Sequence, residues 1–146
     1  MSLEHAEHNE QLCHQLHAEG KWKDWVVTTS FYSALHYIEH RLFPLTVGKE
    51  IYNTFDDYFP QRVDHTKNKH DARLKLVQER LRKAHSAYRF LTDTCRTARY
   101  YDYNTSPALA DAAKLKLAVV KSLCVPAKPA PVVLTSTKVS TPISRN

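Results

Sequence analysis

The sequence predicts an all-α protein, an antiparallel bundle of four helices with room for a short fifth. Three observations predict it. Apolar residues recur at helical steps of 3 and 4 along most of the chain before residue 124. Residues that start or stop helices stand at the ends of those runs. Only two glycines occur in 146 residues, which disfavours a fold built from tight hairpins.

The elements follow in order. Residues 3–19, LEHAEHNEQLCHQLHAE, predict a polar helix with a narrow apolar seam at Leu12 and Leu16, stopped by Gly20. Residues 22–42 predict a second helix, ended by Pro44 because the residue before a proline disfavours helical angles. Residues 43–68 form an unusually long connection, in which KEIYNTFDDYF could supply the short fifth helix. The third helix is expected over 69–100, unbroken, on a seam of Leu74, Val77, Leu81, Ala84, Tyr88, Leu91, Cys95 and Ala98. NTSP then announces a fourth helix over 106–124, with Ser106 as N-cap and Pro107 in its first position.

A bundle over residues 1–124 is thus expected to be followed by a tail. Residues 125–146, rich in Pro, Ser and Thr and without helical period, read as disordered. No run of about 18 apolar residues is present, so no membrane span is expected. The N-terminus lacks the pattern of a secretory signal. Cys13, Cys95 and Cys124 are odd in number and widely spaced, as in the reduced thiols of a cytoplasmic protein. The absence of Gly-rich phosphate loops, nucleophile elbows, CxxC pairs and zinc spacings argues against nucleotide hydrolysis of the common kinds and against thiol redox chemistry.

The net charge of +6 is unevenly placed. Residues 67–99 hold ten Lys/Arg against three Asp/Glu, whereas residues 1–66 hold five against ten. The cationic segment is either a solvated helix face or a surface for phosphates. Tyr88 with Arg89, and Arg96 and Arg99 with Tyr100, Tyr101 and Tyr103, interleave positive charge with aromatic rings; such a set can grip a backbone and stack bases, or the last three tyrosines simply pack the helix end.

Projected at about 100° per residue, the second helix carries two stripes. Val27, Phe31, Ala34, Leu35, Ile38 and Leu42 form the core face. Trp22, Trp25, Thr29, Tyr32, His36 and His40 lie almost opposite and call for a second partner: a helix, another subunit or a ligand groove. On the third helix, His70 and Arg73 project near the apolar seam, where polar groups are costly unless paired. His36, His70 and Arg73 are therefore expected to share a polar pocket; the bland reading is hydrogen-bonded structural histidines.

The order DWVVTTSFYSALHYIEHRL, HDAR, YRFLTDTCRTARY, after a polar first helix, resembles the HEPN superfamily of small helical domains over residues 5 to about 120. The resemblance implies a helical bundle of four to five helices, usually dimeric and often RNA-associated. Many members are metal-independent ribonucleases of toxin–antitoxin, phage-defence or RNA-processing systems; others bind without cutting. Active members carry Arg, a polar residue and then His, a spacing that Arg80 and His85 in RLRKAH reproduce, although Leu81 stands where the polar residue is usual. On one continuous helix Arg80 and His85 would lie about 140° apart, which favours the His70, Arg73 and His36 set.

Histidine is equipped to move protons near neutral pH, and arginine to hold a scissile phosphate. A metal site is the competing chemistry. His36/His40, His5/His8 and His14/His17 have helical spacing, but a di-iron bundle needs paired Glu-x-x-His copies on facing helices, and no clear second copy exists. No metal and no cofactor are therefore expected. The expected partners are RNA, a second copy of the chain and, in an adaptor reading, another protein; the choice between ribonuclease and non-catalytic binding or dimerisation bundle stays open.

Overall fold

The computed structural model describes residues 2–62 and 68–126. The first two helices, α1 (Ser2–Glu19) and α2 (Lys23–Leu42), form a hairpin whose turn contains Gly20 in the left-handed region at φ +70°. Their close approach follows from small side chains. Ala6, Ser30, Ser33 and Ala34 are fully buried, and the Ser33 hydroxyl donates to the Ala6 carbonyl at 2.7 Å. Cys13 Sγ lies 3.1 Å from Ser30 Oγ in the same seam. Helix α2 is the centre of the molecule, packed against α1, α5 (Arg82–Tyr100) and α6 (Pro107–Cys124). All six residues of its expected core face are buried, and so are Val26 and Tyr37 on the side facing α1 and α6. The Tyr37 hydroxyl donates to Glu10, which also accepts from Lys121 Nζ at 2.9 Å, so one carboxylate ties three helices together. Helix α6 begins as its sequence dictates, with Ser106 Oγ accepting from the Leu109 amide at 3.1 Å and Pro107 in the first turn.

Two sequence expectations are corrected. The helix expected unbroken over 69–100 is two helices, α4 (Lys69–Arg80) and α5, separated by Leu81 at φ −142°, ψ 53°. No proline or glycine marks the break; the apolar steps run straight through it because Val77, Leu81 and Ala84 all remain directed at the core. The two-helix arrangement buries Ala72 and Leu76 as well, both off the expected seam. The long connection also holds more than a short helix. Strands β1 (Leu45–Val47) and β2 (Glu50–Tyr52) pair antiparallel, Val47 opposite Glu50, around a two-residue turn that places Gly48 at φ +61°. Only Phe55–Tyr58 of the expected segment is helical, as α3, fixed by a reciprocal capping box between Thr54 and Asp57. One 3-10 turn, Phe59–Gln61, follows. The expected disordered tail lies, beyond Pro126, outside the described residues. No described helix is long and apolar enough to cross a membrane.

Candidate functional site

Two polar cavities lie one turn apart along α2, the first closed by α5 and the start of α4, the second by α1, α3 and Arg73 of α4. The first, about 260 Å³, is lined by Phe31, Tyr32, His70, Arg96, Arg99 and Tyr100 among others. The second, about 340 Å³, is lined by His5, His36, Glu39, Phe55 and Arg73 among others. The sequence expectation of one pocket holding His36, His70 and Arg73 is thus resolved into two. His36 and Arg73 share a cavity; His70 opens onto the other.

His70 sits in the first turn of α4, whose N-cap Asn68 accepts from the His70 amide at 2.8 Å. Its ring meets Phe31 edge-on with centroids 5.5 Å apart, and Phe31 in turn stacks on the buried Tyr88 ring at 6.0 Å. Nδ1 of His70 is shielded and has no hydrogen-bond partner among the described residues. Burial, reinforced by the positive charges of Arg73, Arg96 and Arg99, pushes its pKa below the ordinary histidine value. At neutral pH it is a neutral imidazole beside cations. Arg99 donates from Nη1 to the Tyr32 hydroxyl at 2.6 Å and lies 5.4 Å from the Tyr100 ring centroid. Among the described residues it has no carboxylate partner, and none of them brings a carboxylate to the lining of this cavity. Arg96 approaches Asp71 at 3.7 Å, an exposed and weak pairing. Tyr100, Tyr101 and Tyr103 are 69%, 80% and 74% exposed, which removes the reading that they merely pack the helix end.

Arg73 has a different role. Its Nε donates to Glu39 Oε1 at 2.8 Å and its guanidinium carbon lies 4.0 Å from the Phe55 ring centroid. Both charged side chains are largely buried, so the charge of Arg73 is already committed. His36, half-buried and with its pKa lowered by burial, meets His5 edge-on at 5.1 Å; its Nδ1 too has no partner among the described residues.

Arg80, His85 and Arg89 fall elsewhere. Because Leu81 interrupts the helix between Arg80 and His85, the 140° separation reckoned for an unbroken helix does not apply. Arg80 is exposed at the end of α4. His85 and Arg89 line an open groove between α4 and α5 that Arg96 also borders, and Arg89 lies 3.7 Å from Asp93. One partner was missed in the sequence: Glu39, three positions beyond His36. Among the described residues no three His, Cys or acidic side chains converge as metal ligands. Searches against family models, curated proteins and solved structures return no significant match to this chain.

Proposed function

We propose that this chain is an RNA-associated helical domain of the HEPN type, acting on single-stranded RNA without a metal. One observation carries the reading: His70, Arg96 and Arg99 meet in a cavity to whose lining no described residue brings a carboxylate, beside tyrosines exposed enough to stack bases. In cleavage, His70 takes the proton of a 2′-hydroxyl while Arg96 and Arg99 hold the adjacent phosphate and the charge it gains. A neutral imidazole next to guanidinium groups suits that step, since only the unprotonated ring accepts a proton.

A second reading is non-catalytic RNA binding or an adaptor role. It is favoured by the lining itself: among the described residues His70 is the one histidine of the cavity, and no second one there protonates the departing oxygen. A second copy of the chain could supply one, and the exposed Trp22, at the N-cap of α2, and Trp25, in its first turn, offer a surface for such a copy. The test is an assay of the purified protein on generic single-stranded RNA with EDTA present. EDTA-resistant cleavage that His70→Ala removes supports the ribonuclease. Tight binding without cleavage supports the binding module, and neither binding nor cleavage leaves the adaptor.

A further inference from the structure

The larger cavity, around His36, is electrically unlike its neighbour. Its arginine is paired with Glu39 at 2.8 Å, and its other carboxylate, Asp56, is held by Lys69 at 2.8 Å. Among the described residues a phosphate or an ammonium group would find each opposite charge there already paired. What the cavity offers is neutral hydrogen bonding against aromatic walls. His36 Nδ1 is shielded and unpartnered among the described residues, His5 stands edge-on to the same ring, and Asn53 is exposed at the rim. Phe43 and Phe55, nearly perpendicular at 88°, supply the apolar surface. A ligand that suits such a place is planar, uncharged, apolar on its faces and rich in donors and acceptors at its edge. At about 340 Å³ the cavity falls at the small end of ligand pockets, roughly 300–1,000 Å³.

Its position narrows the ligand further. Along α2 it is lined by Leu35 and His36, one turn on from Phe31 and Tyr32 of the cationic cavity; along α4 the step is from His70 to Arg73. One turn advances about 5.4 Å. A strand with a phosphate between Arg96 and Arg99 that follows α2 would run on toward His36. We infer that the His5–His36 cavity is a recognition subsite for one unpaired nucleobase of the RNA strand whose phosphate lies against Arg96 and Arg99. This rests on the RNA reading proposed above. The edge of an imidazole and an amide distinguish bases by hydrogen bonding, whereas the arginines and tyrosines next door do not.

The full chain is titrated with short single-stranded homopolymers of each of the four bases, read by fluorescence anisotropy, and with free nucleosides, read by NMR at the His36 imidazole. Wild type should prefer one homopolymer by about tenfold. The matching nucleoside, which has no phosphate, should shift His36. Asn53→Trp, which closes the rim from an exposed position, should abolish the preference and leave the salt dependence of binding in place. His36→Gln should alter the ranking of the bases while circular dichroism reports an intact fold. Arg96→Ala with Arg99→Ala should weaken all four homopolymers and keep their ranking. If RNA binds with no base preference, or with a preference that survives both Asn53→Trp and His36→Gln, the subsite is overturned while the phosphate-binding reading stands. If no RNA binds at all, the RNA reading falls and takes the subsite with it.

Discussion

Arg73 Nε lies 2.8 Å from Glu39 Oε1, joining α4 to α2 within the His36 cavity. Both side chains are largely shielded, so loss of one leaves the other charged and without its partner. Arg73→Ala should destabilise the fold by about 3 kcal/mol in urea denaturation. The double change Arg73→Met with Glu39→Gln should recover part of that loss. An equal cost for both would mean that packing of the guanidinium on Phe55, not charge, is what Arg73 contributes.

Binding to single-stranded RNA should weaken steeply with salt. Each phosphate contact removed should lower the log–log slope by roughly 0.7. Arg96→Ala with Arg99→Ala should flatten that slope and raise Kd. Arg89→Ala, on the opposite groove beside Asp93, should do so far less. Anisotropy titrations across a range of potassium chloride check both.

Stability should fall in mild acid. Burial holds His36 and His70 below the ordinary histidine value of 6.5. Above that pH both rings are neutral whether the chain is folded or not, and they add no slope. Below it the unfolded chain takes up protons first, so unfolding gains free energy as pH drops from 6.5 through the folded values, then levels off. His36→Gln and His70→Gln should each flatten this segment of the stability curve, measured as urea midpoints across the window.

If the chain cleaves RNA through His70, the rate should have an acid limb below pH 6.5, because the protonated ring cannot accept a proton. His70→Ala should remove cleavage and spare affinity, whereas His85→Ala should change neither. The reverse result, loss with His85→Ala and none with His70→Ala, would assign the chemistry to Arg80 and His85 in the groove across the Leu81 break.

Much of the helical layout is legible in the sequence because each signal acts locally. Gly20 stops α1, Pro44 follows α2, and Ser106 with Pro107 opens α6. The break at Leu81 is hidden for a physical reason: one residue leaving helical angles does not disturb the alternation of 3 and 4 steps when it still faces the core. The β1–β2 hairpin is hidden because strands of three residues have too little period to read; its one mark is Gly48. At the site, helical projection brings His36 and Arg73 to one place but puts His70 there too. Arg73 is turned to the His36 cavity by its pairing with Glu39, a contact between residues 34 positions apart that no local pattern encodes.

The hydroxyl of Ser33 on the carbonyl of Ala6 has a mechanical meaning as well. It works as a dowel that sets how far α1 can slide along α2. His5 is the next residue on α1, and His36 lies three positions along α2, so the same peg fixes how two imidazoles meet at the cavity mouth. A bulkier side chain at position 6 or 33 would shift that alignment without touching any ligand. Substitution tolerance measured across the chain should accordingly be as low at Ala6 as at residues lining the cavities, and selectivity would then be inherited partly from the fit between two helices.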